Sequence, residues 1–465
     1  MAGDVRTTLY GDFASDFAED RLIDLCDPRH GIQTGPFGSQ LHQKDYVKVG
    51  TPIITVEHLG ENRILHEGVP RVSDADRARL ARYSLRTGDI VFSRVGSVDR
   101  RALVGHQEAG WLFSGRCLRV RPDAQRIDPA FLSYFFGLAA FREHIRAIAV
   151  GATMPSLNTS LLSDVLVPHP RDIGEQRAIA HTLGTLDDKI DLNRRTSETL
   201  EAIARALFRS WFVDFDPVRA KSEGRDPGLP QLLADLFPDT FEDSELGEIP
   251  KGWGTLRLGD LLVLDKGLSY KGQFLGETGM PMVNLGCFLG RGRFAETAMK
   301  HYSGEFRDRH VVRPRDLLIA NTDLTQKREV IGSPALIPPQ EGLDELLFTH
   351  HVFAARFREG QAHWKLFVYF SLLQEEFRER ATGFATGTTV LALPRDAILG
   401  LQFSAPPPAL ISAFGSMVLS AVEGQWKALD ESATLATVRD TLLPKLISGE
   451  LRVKDAERIV AGAGV

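Results

Sequence analysis

The sequence predicts an α+β protein with two repeated lobes, each built on a strongly bent or barrel-like mixed or antiparallel sheet. Two long antiparallel helices that form a coiled coil separate the lobes in this prediction. Three observations support it. Residues 172–212 carry a heptad pattern, residues 409–448 carry a second long helical pattern, and short segments recur in the same order in both halves. The recurrence predicts an internal pseudo-twofold repeat.

The first long helix has a clear signal at each end. Asp172 and Glu175 have the spacing of a capping box, and Pro217 ends the pattern because it has no backbone N–H. Apolar residues recur at steps of four and three. The alternative, an ordinary amphipathic helix, is disfavoured because most helices span only about three or four turns. The seam, with polar members Asn193 and Ser197, consists of Ile179, Leu183, Leu186, Ile190, Asn193, Ser197, Leu200, Ala204, Leu207 and Trp211.

The second long helix follows three prolines and ends at Gly449. Its seam is less regular, and we interpret Arg439 within it as a helix end that faces a partner. A single helix cannot bury such a seam, so we expect the two helices to pack together. The second seam consists of Phe414, Val418, Ala421, Gln425, Ala428, Ser432, Leu435, Arg439, Leu442 and Leu446.

The recurring segments indicate an internal duplication. RLIDL at Arg21 is matched by RLGDL at Arg257, and GDIVFSR at Gly88 is matched by RDLLIAN at Arg315. Between the halves, residues 217–253 are rich in proline, glycine and acids, which predicts an irregular linker. The predicted domains are a first target-binding lobe at 1–170, a long helix at 171–216, the linker at 217–253, a second lobe at 254–407, and a long helix with its tail at 408–465.

Bulk composition bounds the class of protein. The chain has 465 residues, a net charge of −6 and three widely spaced cysteines, which fit a reducing cytoplasm and offer no zinc spacing. We find neither a signal peptide nor an apolar run long enough to cross a membrane. Lys and Arg outnumber the acids in residues 28–170, whereas acids predominate in residues 171–253, so the first lobe is locally basic.

Motifs of common catalytic sites are missing from the sequence. It contains no phosphate-binding loop, no G-x-S-x-G elbow, no H-E-x-x-H helix and no Asn/Asp-Pro-Pro-aromatic methyltransferase tetrad. His350 and His351 are adjacent, and in a strand they would point to opposite faces, which argues against a shared metal site. We therefore predict a binding protein without catalytic residues, metal or cofactor.

Basic and polar residues cluster in corresponding loops of both lobes, where they suit contacts to phosphates and base edges. Each of them taken alone is equally compatible with a solvated loop, so the prediction rests on the clustering. The candidates for DNA contact are Gln33, Thr34, Ser39, Lys44, Arg94, Ser97, Arg100, Arg101, Thr153, Asn158, Lys266, Ser269, Lys271, Asn321, Thr322, Lys327, Arg328 and Thr388.

Four segments resemble the specificity subunits of type I restriction–modification systems. The segments are GEQRAIAHTLGTLDDKIDLN from Gly174 followed by LEAIARALFRSWFVDF, GEIPKGW from Gly247 and LLPKLISGELRV from Leu442; fainter likenesses are GPFGS at Gly35 and GTTV at Gly387. The resemblance implies two target-recognition domains that bind a bipartite asymmetric sequence in double-stranded DNA.

The resemblance also implies partners. Two methyltransferase (modification) subunits would bind this chain, and restriction/translocase subunits would join through them. S-adenosylmethionine, Mg²⁺ and ATP would serve those subunits, and this chain would need none. Two alternatives stay open at this point. They are a single-chain restriction or modification enzyme with degenerate motifs, and a structural coiled-coil adaptor.

Overall fold

The structure is a computed structural model that describes residues 4–36, 40–151, 153–323, 330–387 and 391–462. The chain divides into two compact units. Unit 1 contains the chain up to Leu192 together with the segment from Glu431 onward, and unit 2 contains Asn193–Asp430. Each unit combines small sheets with helices, which confirms the α+β class.

Unit 1 contains two four-stranded sheets, with strand orders β4-β11-β8-β9 and β10-β6-β7-β5. The first is antiparallel; in the second, β10 pairs with β6 in parallel. The helices are α1 (Asp74–Arg79), α2 (Pro129–Phe135), α3 (Ala139–Ile148), α4 (Thr159–Ser163) and α5 (Ile173–Phe212). The strands are β1 (Val5–Thr8), β2 (Gly11–Ala14), β3 (Ala18–Arg21), β4 (Ile32–Thr34), β5 (Tyr46–Val47), β6 (Thr51–Ile54), β7 (Arg71–Val72), β8 (Ile90–Ser93), β9 (Arg101–Leu103), β10 (Leu112–Phe113), β11 (Cys117–Val120) and β12 (Leu166–His169).

Unit 2 is built from helices and strands in a closely similar order. Its helices are α6 (Asp216–Ser222), α7 (Gln231–Ala234), α8 (Leu258–Leu261), α9 (Lys365–Leu372), α10 (Glu375–Gly383), α11 (Arg395–Leu399) and α12 (Pro408–Ser448), of which α12 continues into unit 1. Its strands are β13 (Phe241–Ser244), β14 (Gly247–Pro250), β15 (Gly254–Arg257), β16 (Leu262–Lys266), β17 (Leu275–Gly276), β18 (Met280–Val283), β19 (Lys300–Tyr302), β20 (Val311–Val312), β21 (Leu317–Ala320), β22 (Thr322–Asp323), β23 (Pro334–Leu336), β24 (Leu346–Phe348), β25 (Val352–Phe357), β26 (Leu391–Ala392) and β27 (Gln402–Ala405).

The sheets of unit 2 repeat the topology of unit 1. Its antiparallel sheet has the order β16-β25-β21-β23, and its second sheet has the order β17-β19-β18-β24-β20, in which β18 pairs with β24 in parallel. Reading β4, β11, β8 and β9 against β16, β25, β21 and β23 gives the same arrangement of strands. This agreement confirms the internal duplication.

The central strand of each antiparallel sheet is buried on both faces. Ile90 and Phe92 of β8 pack on the helical core of unit 1, whereas Val91 packs on a second core shared with the other sheet. In unit 2, Leu317 of β21 joins the helical core and Leu318 joins the sheet core. The continuous apolar run of each strand follows from this double burial.

The long helices pack antiparallel in unit 1. Glu175 of α5 bonds Arg452 just beyond α12, and Asp187 accepts a hydrogen bond from Arg439 of α12 at 2.7 Å. The interpretation of Arg439 as a helix end is therefore wrong, because this guanidinium lies within α12 and neutralises Asp187. The predicted capping box forms in part: Gly174 N donates to Asp172 Oδ1 at 2.9 Å, while Glu175 pairs with Arg452.

The same packing continues in unit 2, where the rings of Phe208 and Phe212 in α5 contact Phe414 of α12. Both predicted seams are confirmed, because all of their positions are buried or half-buried. Fully buried members are Ile179, Leu183, Leu186, Asn193, Ser197, Ala204, Trp211, Phe414, Val418, Ala428, Leu435, Leu442 and Leu446.

Residues 217–253 are not irregular, contrary to the sequence prediction. They contain most of α6, together with α7 and the β13–β14 hairpin, and they bury Val218, Phe237 and Trp253 in the helical core of unit 2. Isolated apolar residues between prolines and glycines give no periodic signal, so composition alone suggested a loop. Beyond α12, the helix α13 (Val453–Gly462) buries Ala456 in the helical core of unit 1. Across the described residues, no helix is both long and apolar enough to cross a membrane.

Candidate nucleic-acid interface

A tight turn at residues 114–116 joins β10 to β11 in unit 1. Its first amide, Ser114 N, donates to Ile54 O of β6 at 2.8 Å, so the parallel strand pair holds the turn in place. Gly35, just after β4, passes against this turn. A Cβ added to Gly35 would lie 2.1 Å from Ser114 O, so the close approach requires glycine.

Arg94 completes this arrangement from the end of β8. Its backbone N donates to Arg116 O at 2.8 Å, and its Nη1 donates to Gly115 O at 3.2 Å. The loop before α4 joins through Leu157 N, which donates to Arg94 O at 2.9 Å. We call Gly35, Arg94, Leu157 and the 114–116 turn the unit 1 apex.

Unit 2 builds the same framework around a turn at residues 349–351, between β24 and β25. Thr349 N donates to Val283 O at 2.9 Å, the counterpart of the bond from Ser114. Gly267 follows β16, and a Cβ on it would lie 2.3 Å from Phe348 O. In each unit, a glycine just after the equivalent strand therefore allows the close approach to the turn.

Asn321 takes the place of Arg94. Its backbone N donates to His351 O at 3.0 Å, its Nδ2 donates to His350 O at 3.1 Å, and its carbonyl accepts from Leu393 N at 2.8 Å. We call Gly267, Asn321, Leu393 and the 349–351 turn the unit 2 apex. Each unit thus brings four separate chain segments to one point.

The two apexes display different side chains. In unit 1 the turn carries Arg116, whose side chain is exposed, and Thr153 is exposed on the adjoining loop. Sequence reasoning missed Arg116, because its role depends on the turn rather than on any local motif. An exposed guanidinium on a rigid turn can bond a phosphate or the O6 and N7 acceptors of guanine.

The unit 2 apex carries imidazoles and amines instead. The rings of His350 and His351 are 3.9 Å apart between centroids, and His351 Nδ1 lies 2.9 Å from the hydroxyl of Thr322. Lys266, at the end of β16, is exposed beside them. The pKa of His351 is lowered, chiefly by burial. Positive charge on His350, Lys266 and Lys300 lowers it further.

The paired histidines correct the reasoning made from sequence. His350 and His351 lie in a turn and not in a strand, so their rings face each other. Sequence reasoning also overlooked Tyr270 and Lys300, which stand next to this pair: Lys300 Nζ is 5.6 Å from the Tyr270 ring centroid. No cluster suited to a metal ion occurs in the part of the chain that the structure describes.

Two predicted contact residues serve the interior of unit 1. Arg101 is 3% exposed, and its guanidinium donates to Ser133 O at 2.9 Å and to Glu61 at 2.8 Å. Arg100 donates to Leu59 O. Because Arg101 is buried and pairs with Glu61, its guanidinium is not available to DNA in this conformation, and Arg101 is not among the contacts we propose. Asn321 and Thr322 are likewise buried and hold the unit 2 apex together.

The remaining candidates lie on the surface or outside the described residues. Gln33 and Thr34 are half-buried on β4, and Asn158 caps α4 by accepting from Leu161 N at 2.8 Å. The exposed candidates are Lys44, Ser97, Thr153, Asn158, Lys266, Ser269 and Lys271. Ser39, Lys327, Arg328 and Thr388 lie outside the described residues.

Comparison with known proteins shows what the chain resembles. A family model described as the type I restriction modification DNA specificity domain matches residues 17–202. The type I restriction enzyme HindI specificity subunit of Haemophilus influenzae is 25% identical over 453 residues, which cover 84% of this chain and 92% of that protein. The chain is thus similar to specificity subunits of type I restriction–modification systems, and residues 17–202 match the specificity domain of those proteins.

A second specificity subunit is similar in sequence, and a solved S subunit is similar in fold. The type I restriction enzyme MjaIX specificity subunit of Methanocaldococcus jannaschii is 26% identical over 333 residues, covering 70% of this chain and 69% of that protein. The crystal structure of the S subunit of a type I system from M. genitalium superposes with a TM-score of 0.60 at 15% identity, covering 92% and 96% of the two chains. These similarities favour a specificity subunit over the single-chain enzyme and over the structural adaptor.

Proposed function

We propose that this chain reads DNA sequence for a type I restriction–modification complex through its two apexes. The observation that supports the proposal is one framework used twice with different side chains. Four segments converge in the same hydrogen-bonded pattern in each unit, while the turn carries Gly115 and Arg116 in one and His350 and His351 in the other. Conserved scaffolding with variable exposed groups is what sequence reading requires.

The difference between the apexes implies two different half-sites. Arg116 offers a bidentate guanidinium, which suits the paired acceptors of guanine, whereas the imidazoles of unit 2 offer single donors or acceptors. A chain that carries one of each would bind an asymmetric, bipartite sequence in double-stranded DNA. The internal duplication would likewise offer equivalent surfaces to two methyltransferase subunits, which restriction/translocase subunits would then join.

The cytoplasm is the compartment we propose, because the substrate is chromosomal or invading DNA. The three cysteines are consistent with this compartment: each is buried as a free thiol. Burial raises the pKa of Cys26 to about 12 and that of Cys117 to about 12, which keeps both thiols protonated and unreactive. Neither thiol is thus poised for disulfide chemistry.

The test is DNA binding by single variants of the full chain. Arg116→Ala should weaken binding by about 1–3 kcal/mol if it contacts a base, or lower the salt slope by about one if it contacts a phosphate. Lys266→Ala should act in the same way through unit 2. Fluorescence anisotropy measures both quantities. A pool of randomised duplexes of about 40 base pairs, longer than one bipartite site, is titrated at several salt concentrations.

A matched control comes from the same unit. Arg458 is an exposed arginine on α13 that pairs with Asp455, away from the apex segments in sequence. Arg458→Ala should leave affinity and salt slope unchanged. Equal binding by the Arg116, Lys266 and control variants would remove the apexes from the DNA interface.

A further inference from the structure

We propose that the paired histidines of the unit 2 apex take up a proton when DNA docks, so that DNA binding by this unit strengthens as the pH falls. The inference rests on the proposed function and specifies how one of its two sites is regulated. It concerns His350 and His351 together with the groups that face them.

The geometry places two imidazoles in direct contact. The ring centroids are 3.9 Å apart with an interplanar angle of 39°, and the ring of Tyr270 lies 6.3 Å from that of His350. His351 Nδ1 is 2.9 Å from Thr322 Oγ1. Among the described residues, the buried Nδ1 of His350 has no hydrogen-bond partner. Two imidazoles in contact resist simultaneous protonation, because like charges this close repel each other.

Two lysines lie close enough to the pair to act on His351. Lys266 at the end of β16 and Lys300 at the start of β19 both act on His351, and with burial they lower its pKa. Asp323, the residue after Thr322, is 1% exposed and accepts a hydrogen bond from Val330 N at 2.9 Å. In the free protein, burial and these cations therefore disfavour the charged form of His351.

Docked DNA reverses this balance. A phosphate close to the turn supplies negative charge, which favours the imidazolium and offsets the repulsion from Lys266 and Lys300. The complex then binds more protons than the free chain, and linkage requires affinity to rise with falling pH. One proton per complex corresponds to about tenfold in affinity per pH unit while the bound state stays protonated and the free state does not.

Unit 1 provides an internal contrast. The positions equivalent to His350 and His351 are Gly115 and Arg116, and a guanidinium stays charged throughout the accessible pH range. Binding through unit 1 therefore involves no proton uptake at its turn. The two apexes differ in the pH response of their charge as well as in shape.

The experiment measures DNA affinity and proton uptake with the full chain. The same randomised duplexes of about 40 base pairs are used. They are titrated by anisotropy between about pH 6 and pH 8, a range that brackets the ordinary imidazole pKa. Calorimetry in two buffers of different ionisation heat gives the number of protons bound. The original chain should bind more tightly at low pH and take up a proton, and His351→Gln should remove most of both effects.

Two further variants keep the result interpretable. His351→Arg, which is charged at every pH, should bind DNA at high pH as the original chain does at low pH and lose the pH dependence. His363→Gln is the matched control, because His363 is an exposed histidine of unit 2 whose Nδ1 lies near Gly360 O. Melting curves verify that each variant is folded.

The outcomes separate the two proposals. If DNA binds with the same pH dependence in the original chain and in His351→Gln, proton uptake at this pair is refuted while DNA reading stands. If the original chain binds no duplex at any pH, the proposed function fails and the inference fails with it. If proton uptake disappears in His351→Gln and persists in His363→Gln, the inference is supported.

Discussion

At the residue scale, one glycine in each unit, Gly35 or Gly267, allows a strand to approach the apex turn closely. Gly267 has no unusual φ, but a Cβ built on it would lie 2.3 Å from Phe348 O and 2.4 Å from Thr349 O. The end of β16 can approach the turn this closely only because glycine has no Cβ. Both oxygens belong to backbone that is held by strand pairing, so neither can move without disturbing β24. Steric exclusion thus makes glycine necessary.

Gly267→Ala should lower the free energy of unfolding by about 1–3 kcal/mol, the usual cost of forcing an extra methyl group into packed structure. Gly272→Ala is the control, because nothing lies within 4 Å of a Cβ built there. Urea titration of both variants gives the comparison. Equal stability of the two would show that the turn yields easily to the added methyl group.

Tyr134 illustrates a buried titratable group at the same scale. Its hydroxyl donates to Asp187 Oδ2 at 2.7 Å, and burial followed by the charge of Asp187 raises the pKa of Tyr134 above its ordinary value of 10.0. A raised pKa in the folded state stabilises the protein fully below the ordinary pKa. This stability is lost progressively as the pH rises above it.

The free energy of unfolding should therefore fall above about pH 10, by roughly 1.4 kcal/mol per pH unit for one tyrosine. Tyr134→Phe should reduce this slope, because the phenol no longer ionises in the unfolded chain. The lost hydrogen bond should cost about 1 kcal/mol at neutral pH. Urea unfolding at about pH 8 and at about pH 10.5, just above the ordinary tyrosine pKa, measures how the free energy of unfolding changes with pH. Parallel profiles for both chains would contradict the assignment.

At the element scale, the long helices take their stability from one face. Trp211 of α5 is 1% exposed, and its ring lies 5.3 Å from that of Phe237 and 6.2 Å from that of Phe414. Ile203 on the same helix is 56% exposed. Trp211 and Ile203 can both occupy a helix. The heptad spacing places Trp211 on the buried face and leaves Ile203 on the exposed face.

Trp211→Ala should lower stability by about 3–5 kcal/mol, because it leaves a large cavity between aromatic rings. Ile203→Ala should change stability by less than about 0.5 kcal/mol, as surface substitutions usually do. Thermal melts of the two variants compare one face of α5 with the other. A small effect at Trp211 would mean that the unit 2 core closes around the gap.

At the scale of the whole molecule, the duplication predicts that each unit reads its half-site independently. The two antiparallel sheets share one strand order, and each unit has its own helical core and its own sheet core. Unit 1 can therefore change its apex without altering the packing within unit 2.

Exchange of residues 21–168 for the corresponding lobe of another family member should change one half of the methylated sequence and leave the other half unchanged. Sequencing of methylated sites in a host that carries the chimaera and its partner subunits gives the readout. The matched control replaces the same segment with its own sequence through the same cloning junctions. A change in both half-sites would show that the units do not act independently.

The sequence by itself determined the features that are encoded locally or by repetition. Heptad spacing predicted α5 and α12, with bounds that differ by one residue at their starts, because helical periodicity is a property of neighbouring residues. Repeated segments predicted the duplication, and four motifs indicated the family. Loop clustering selected Lys266 for DNA contact; the structure places this residue, exposed, at the end of β16, and the contact stays a prediction.

Only the tertiary structure decided which loop residues meet. Gly35, Arg94 and Arg116 come together because β8 and β11 are paired and β10 lies parallel to β6, and no local pattern specifies such pairings. The same long-range packing turned Arg101 inward. In unit 2 it ordered residues 217–253 around buried aromatic rings and brought the ring centroids of His350 and His351 to 3.9 Å from each other. Helices follow from contacts within a few residues, whereas a binding surface follows from contacts across the whole unit.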